Sequence, residues 1–170
     1  MKLLKKFVVV ILVLLLNTSF SQSEDQIVYL DLDNIVSKTK AGKSIINNLE
    51  KSKKAALSKF EKKEKELKKI ESDINKQKNI LSEEELKKKL IEFRKEISQF
   101  QNERQKVINE YNKKKVDEFN NFFKKITPII QNYVSDRNID MVLDRKNVFV
   151  ASKKKDITSE IIKLIDSKIK

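Results

Sequence analysis

The sequence lacks the residues on which many folds and most catalytic sites depend. Its 170 residues include no cysteine and no histidine, and only one glycine and one proline. Without cysteine the chain has no disulfide framework, thiolate zinc site, catalytic thiol or lipoprotein anchor. Without histidine it lacks the commonest acid–base group and metal ligand. We therefore expect a protein that is not an enzyme and that uses no cofactor.

The scarcity of glycine and proline also limits the fold. One residue of each leaves too few turn formers for many strands joined by tight turns. Charged residues make up 37% of the chain and aromatic residues 7%, so little apolar material is available for one large core. We expect a mainly helical chain with a small β component, an α+β fold, that needs partners to complete its folding.

The N-terminal residues predict export. Three lysines within the first six residues precede an apolar run over residues 7–16, and the small residues Ser19 and Ser21 follow it. This order is typical of a secretory signal peptide. The run is about half of the ~20 residues that span a bilayer, which makes an uncleaved membrane anchor the weaker alternative. We place the signal peptide at residues 1–21, with cleavage near Ser21.

The basic charge of the exported chain is concentrated in one segment. Residues 40–115 contain 23 basic and 13 acidic residues, a net charge of +10, whereas residues 22–39 and 116–170 together sum to zero. Coiled coils usually interleave the two signs closely, but here clusters of lysine are left without nearby acids. These clusters could bind an acidic partner, and the simpler alternative is that they only form the solvated surface of a helix.

The same segment predicts two long helices. Apolar residues recur at alternating spacings of three and four from Ile46 to Leu81, which is a heptad repeat. A second apolar stripe extends from Leu86 to Tyr133, with a kink expected near Pro128. Two such helices predict an antiparallel coiled-coil hairpin whose arms are about 60 Å long.

A capping box marks the start of the second helix. Ser82 is followed by three glutamates. The Ser82 hydroxyl can bond to the amide of Glu85, while the Glu85 carboxylate returns a bond to Ser82. The chain should therefore reverse at about residues 79–82.

The two ends of the exported chain predict a small body. Ile27–Leu30 is a strand candidate, Asp33 is positioned to cap a short helix, and Gly42 falls between that helix and the arm. We assign residues 22–42 and 117–170 to this body, and residues 43–116 to the arm.

The C-terminal part of the body is expected to begin with a β-hairpin. Ile139–Leu143 and Val148–Ala151 are two apolar runs bridged by residues 144–147. Asp156 or Thr158 then caps a last amphipathic helix.

So small a body is expected to depend on subunit contacts. About fifty residues cannot bury enough apolar surface to be stable alone. The residues expected to build the body and its oligomer contacts are Ile27, Tyr29, Ile139, Val142, Val148, Val150, Ile161 and Ile165.

These segments together resemble the Skp/OmpH family of periplasmic chaperones. The resemblance is carried by Ile27–Asp31, the lysine-rich hairpin, Ile139–Asp144, Val148–Val150 and Asp156–Thr158, over residues 26–170. It implies a homotrimer in which three hairpins project from a small β-sheet trimerisation body around a cavity. It also implies that unfolded outer-membrane proteins are held there without ATP, in the periplasm of a Gram-negative bacterium.

On that interpretation the lysine clusters of the arm contact the client protein. The predicted client-binding residues are Lys51, Lys53, Lys54, Lys62, Lys63, Lys68, Lys69, Lys87, Lys88, Lys89, Lys113, Lys114 and Lys115.

Other functions remain alternatives. A structural coiled-coil protein of the envelope would have the same heptads, and a peripheral binder of anionic lipid or lipopolysaccharide would use the same lysines. Asp31 and Asp33 do not suggest catalysis, because one ends a strand and the other is positioned to cap a helix. Nucleic acid is not an expected partner, since no aromatic stacking motif accompanies the basic residues.

Overall fold

A computed structural model describes residues 26–169 of the chain. The predicted signal peptide lies outside this range. The described elements are β1 (Ile27–Leu30), α1 (Leu32–Lys38), α2 (Lys40–Gln77), α3 (Glu83–Asp136), β2 (Met141–Asp144) and α4 (Thr158–Lys168). Two 3-10 turns, Arg145–Asn147 and Lys153–Lys155, separate β2 from α4. The predicted mainly helical fold with a small sheet is confirmed.

The sheet joins the two ends of the described chain. β1 and β2 pair in parallel, with Ile27 opposite Met141 and Leu30 opposite Asp144. Parallel strands need a long crossover connection, and here α1, α2 and α3 together supply it. The whole arm is therefore inserted between two neighbouring strands.

A hydrophobic core lies where β1, α1, α4 and the last turns of α3 meet. Its most deeply buried side chains are Ile35, Ile126, Ile161 and Ile165, each with a relative exposure of 0%. Burying an aliphatic side chain of this size contributes about 1.5–3 kcal/mol. The predicted apolar face of the last helix is confirmed, since Ile157, Ile161 and Ile165 are buried there.

The cap of α1 differs from the expectation. Asp31, and not Asp33, occupies the N-cap position and accepts the amide of Asn34 at 2.8 Å. Asp33 lies one residue inside the helix and forms an ion pair with Lys146 at 2.9 Å. The hydrogen bond to Asp33 raises the pKa of Lys146 above its ordinary value. Asp31 caps the helix because, directly before the first helical residue, its carboxylate can reach the unpaired backbone amides of the first turn.

Gly42 lies inside α2 and does not form a link before it, which corrects the sequence interpretation. The helix begins at Lys40, directly after its N-cap Thr39, whose hydroxyl accepts the Gly42 amide at 3.2 Å. A β-carbon on Gly42 would overlap the carbonyl oxygen of Val36 at the end of α1. Glycine is therefore required for close packing between the ends of two helices.

The predicted β-hairpin is wrong in its second half. Only Met141–Asp144 forms a strand, and Val148–Ala151 pairs with no strand in the described chain. Asp144 accepts the Lys146 amide at 3.1 Å, and the Arg145 guanidinium donates to the Val148 carbonyl at 3.1 Å. They accompany a 3-10 turn that is closed by the bond from the Val148 amide to the Arg145 carbonyl at 3.2 Å. The chain after this turn does not return along β2 as a strand.

The start of α4 is tied to the end of β1. Asp156 accepts the Thr158 amide at 2.9 Å, but it lies one residue before the N-cap, so the predicted cap at Asp156 is wrong. The N-cap position itself is Ile157. Thr158 is not a cap, because its hydroxyl accepts the Asp31 amide at 3.0 Å. α3 continues through Pro128, and a change of direction there stays a prediction.

Replacing Gly42 by alanine should destabilise the protein. In an ordinary helix this change is favourable by about 1 kcal/mol, but here the new methyl group meets backbone at Val36. We expect a loss of about 1–3 kcal/mol, measured by thermal unfolding followed by circular dichroism. Asn47→Ala, at an exposed position of the same helix, is the control and should be neutral or stabilising. Equal stability of the two variants would contradict the packing role of Gly42.

Candidate functional site: a basic helical arm

The arm is an antiparallel pair formed by α2 and most of α3, joined along a narrow apolar seam. Its buried cluster consists of Phe60, Leu67 and Phe100, and Phe60 meets Phe100 edge-on with ring centroids 6.1 Å apart. Leu49 and Ile74 are the other buried seam residues of α2. These five residues, all at predicted heptad positions, therefore face the partner helix, whereas Ile46, where the heptad begins, is exposed.

Arg104 occupies a seam position but keeps its charge at the edge. Its guanidinium lies 5.6 Å from the centroid of the Phe60 ring and 5.7 Å from that of Phe100. It also pairs with Glu64 across the seam at 3.2 Å. A cation over aromatic faces is attracted by the ring quadrupole, so this arginine is compatible with the apolar stripe.

Two further ion pairs cross the seam. Lys59 pairs with Glu103, and Lys63 pairs with Glu96 at 3.1 Å. The Glu96 hydrogen bond raises the pKa of Lys63, and the Lys59 hydrogen bond lowers the pKa of Glu103. Because these pairs are exposed to solvent, each contributes little to stability. They help to set the register of the helices and leave the arm held mainly by its thin seam.

The tip of the arm contains the predicted capping box. The Ser82 hydroxyl accepts the Glu85 amide at 3.4 Å, and the Glu85 carboxylate accepts the Ser82 amide at 3.0 Å. The carboxylate also accepts the Ser82 hydroxyl at 2.7 Å. These bonds, chiefly the one from the hydroxyl, lower the pKa of Glu85. The local signal in the sequence was sufficient to locate this turn.

The predicted client-binding lysines fall into two groups. Lys63, Lys88 and Lys113 each lie within 4.0 Å of a carboxylate, and Lys114 lies 3.4 Å from the Ser52 hydroxyl. The other nine predicted lysines have no carboxylate within 4.0 Å in residues 26–169, and all nine are exposed. These nine are Lys51, Lys53, Lys54, Lys62, Lys68, Lys69, Lys87, Lys89 and Lys115.

One face of α2 forms a row of lysines that the sequence analysis did not recognise as a unit. Successive residues advance by about 100° around a helix, which places five of the lysines between residues 51 and 69 within a sector of about 80° opposite the seam. No acidic residue of α2 falls in that sector. This lysine row consists of Lys51, Lys54, Lys62, Lys65 and Lys69. Helical spacing would have indicated the row, whereas the predicted client-binding set followed lysines that are close in sequence and therefore omitted Lys65.

The predicted body residues are divided between the core and the surface. Tyr29, Ile139, Ile161 and Ile165 are buried within the chain itself. Val142 and Val148 are half-buried, whereas Ile27 and Val150 are exposed.

The exposed body residues belong to a larger set of exposed apolar side chains on β1, on β2 and in the segment that follows β2, which we call the apolar edge. Its members are Ile27, Met141, Leu143, Phe149 and Val150, and Phe149 is fully exposed. Met141, Leu143 and Phe149 were missed, although alternation along β2 would have indicated the first two.

Metal-binding clusters and membrane-spanning helices are both absent from the described residues. No group of three or more acidic residues in this range is arranged to hold a metal ion. None of the helices formed by residues 26–169 combines the length and the hydropathy needed to cross a bilayer.

A family model supplies the identity that the arm and the body suggest. The model described as outer membrane protein (OmpH-like) matches residues 26–165, which is most of the sequence. The chain belongs to the OmpH-like family. No curated protein matches it significantly.

A solved structure agrees with the OmpH-like assignment. It is the crystal structure of a candidate outer membrane chaperone (OmpH-like) from Caulobacter crescentus CB15, with a TM-score of 0.78. The two proteins share 15% sequence identity, and the match covers 88% of each chain. At this identity the likeness concerns the fold, and it confirms the helical hairpin on a small body.

The capping box makes the arm tip sensitive to acid. Because folding lowers the pKa of Glu85, its contribution to stability is present above the unfolded pKa and is lost as pH falls through the folded one. We expect NMR titration to place the pKa of Glu85 below its ordinary value of 4.5, and Ser82→Ala to raise it. Ser72→Ala, elsewhere on the exposed arm, should leave it unchanged. An unaltered Glu85 titration in Ser82→Ala would refute the capping role.

Proposed function

We propose that this OmpH-like protein is an ATP-independent holdase chaperone of the periplasm. It binds unfolded outer-membrane proteins in a cavity between basic helical arms, prevents their aggregation and aids their delivery for outer-membrane assembly. The observation that carries the proposal is the arm itself, with a net charge of +10 over residues 40–115 and fifteen lysines there without a carboxylate within 4.0 Å in the described chain. Membership of a generally non-enzymatic family supports a chaperone over an enzyme.

Electrostatic capture gives the arm a function that needs no nucleotide. A basic surface attracts an acidic unfolded chain over distances of about the Debye length, roughly 8–10 Å at physiological salt. Each exposed contact is weak, so the client stays bound through many contacts and leaves by breaking them one at a time. The sequence has no glycine-rich phosphate loop, and such a mechanism requires none.

Self-association would supply the cavity. The apolar edge, which includes the fully exposed Phe149, is the surface on which further subunits are proposed to pack. In the proposed homotrimer three arms would carry a nominal +30, three times the +10 of one arm. Large exposed apolar side chains on a small body commonly mark such contacts.

Salt should weaken the chaperone. We expect the purified mature protein to suppress light scattering by an unfolded β-barrel outer-membrane protein at low salt. Protection should fall several-fold near 1 M salt, where the Debye length is only ~3 Å. The same titration of the client alone is the control for salt effects on aggregation. Protection that does not change with salt would remove the electrostatic part of the proposal, and no protection at any salt would overturn the holdase itself.

Binding of anionic lipid or lipopolysaccharide is a second candidate, favoured by the lysine row. Its five members form an acid-free stripe along one side of α2, spanning about 27 Å from Lys51 to Lys69 at ~1.5 Å per residue. A straight basic line on a convex surface fits a flat array of anionic headgroups.

Removing part of the row tests this second candidate. Lys62→Gln/Lys65→Gln/Lys69→Gln should weaken co-sedimentation with phosphatidylglycerol vesicles at least tenfold. The matched control is Lys88→Gln/Lys106→Gln/Lys113→Gln on α3, where each lysine has an acidic partner four residues away. The control makes the same change in net charge and should bind more strongly than the row variant. Equal losses would show that only net charge matters, and absent binding by the unaltered protein would exclude the candidate.

A further inference from the structure

The two sides of the arm that flank the seam differ in chemistry. Lys59–Glu103 and Lys63–Glu96 cross on one side, which we call the bridged side. Glu64–Arg104 crosses on the opposite side, which we call the open side. The assignment follows from helix geometry, because Lys63 and Glu64 are consecutive residues and point about 100° apart on either side of the seam.

Partly exposed aliphatic residues of α2 align with the open side. Leu57 precedes Glu64 by seven residues, about two turns, and Ile46 precedes it by eighteen, which is five turns. The three side chains therefore lie along one line of the helix. Leu57 is 48% exposed and Ile46 is 39% exposed.

The same alignment occurs on α3. Ile108 lies one turn after Arg104, and Leu90 lies eighteen residues, or five turns, before Ile108. Both residues therefore share the open side with Arg104. They are 43% and 36% exposed, respectively.

No comparable residues lie on the bridged side within the described chain. Its large apolar side chains, Ile45, Ile70 and Val107, are only partly exposed and fall below the exposure of the open-side residues. The remaining exposed apolar side chains of the arm lie elsewhere, with Ile80 at the tip and Ile91 on the outer surface of α3. The open side is therefore the only flank of the seam that presents large exposed aliphatic groups in residues 43–116.

The spacing of these groups identifies the kind of partner. Ile46 and Leu57 are about 16 Å apart along α2, and Leu90 and Ile108 are about 27 Å apart along α3. A stable interface with a folded copy buries about 800 Å² per partner in a continuous patch, which four separated side chains do not provide. An extended chain presents apolar groups at intervals of about 7 Å on one face and can reach several isolated sites.

The charges on the open side include both signs. Lys53 and Lys115 lie on this side, and neither has a carboxylate within 4.0 Å in the described chain. Glu71 lies eighteen residues, or five turns, after Lys53 on the same line, and this exposed carboxylate also has no ion-pair partner within 4.0 Å there. Glu64 and Arg104 pair with each other. The exposed aliphatic groups therefore distinguish the open side, and its net charge does not.

We propose that the open side, formed by Ile46, Leu57, Leu90 and Ile108, is the face of the arm on which apolar segments of an unfolded polypeptide lie. This assignment rests on the proposed chaperone function. It distinguishes the short-range apolar contacts, made on the open side, from the lysine row, which faces away from the seam.

Matched substitutions test the assignment. Leu57→Ser/Ile108→Ser removes two open-side groups, and Ile91→Ser/Val116→Ser removes two groups from the outer surface of α3 that are more exposed, at 57% each. Binding of an unfolded β-barrel outer-membrane protein is measured by titration, with circular dichroism as the check on folding. We expect about fivefold weaker binding by the open-side variant and no change in the outer variant.

The outcomes separate the two levels of the proposal. Equal weakening by both variants, or none by either, would overturn the open-side assignment while the holdase function stands. No binding by the unaltered protein would overturn both.

Site-specific labelling gives a second readout that does not depend on losing affinity. Because the chain has no cysteine, Leu57→Cys and Ile91→Cys can each carry one environment-sensitive fluorophore. Addition of the unfolded client should shift the emission at position 57 and leave that at position 91 unchanged. Equal shifts at the two positions would contradict a client-binding side.

Discussion

The narrow seam between α2 and α3 is the constraint on which the rest of the arm depends. Backbone hydrogen bonds hold each helix internally, but only one buried cluster, Phe60, Leu67 and Phe100, joins them in the middle of the arm. A seam this thin buries only a few residues in each turn of the two helices. It leaves most of the surface for charge and lets two long helices bend or separate without unfolding. A thicker seam would make the arm stiffer and would bury the side chains available to a partner.

The body holds two parts of the chain that are distant in sequence together, and it does so with few residues. Three hydrogen bonds between distant residues do this: the Asp31 amide with Thr158, the Lys40 amide with Asp166 at 2.7 Å, and the Gln26 amide with Asp140 at 2.6 Å. Each joins residues more than one hundred positions apart. They fix the base of the arm, while the apolar edge remains exposed. A body that is closed at its core and open at one edge is consistent with a fold completed by other subunits.

Sequence patterns predicted the features that depend on neighbouring residues. The heptads of the arm, the capping box at Ser82 and the apolar face of α4 are all defined within a few turns of one helix. The errors lie where distant segments decide the outcome. Val148–Ala151 has strong strand propensity but finds no partner strand in the described chain, and Gly42 is explained only by the carbonyl of Val36. The lysine row was overlooked because consecutive lysines point in different directions around a helix.

The arrangement of chemistry around the arm explains how one thin hairpin could serve a transient binder. The charge that acts at long range faces outward along the lysine row, while the aliphatic groups that act only at contact distance lie beside the seam. In the proposed function an acidic chain is therefore attracted first and meets apolar groups second. Neither interaction is strong, because the lysines are hydrated and the aliphatic groups are isolated from one another. A continuous apolar groove would hold a client more tightly, but it would also bind the arms to each other. Separating the groups along the open side permits attraction to a flexible chain and limits attraction between copies of the arm.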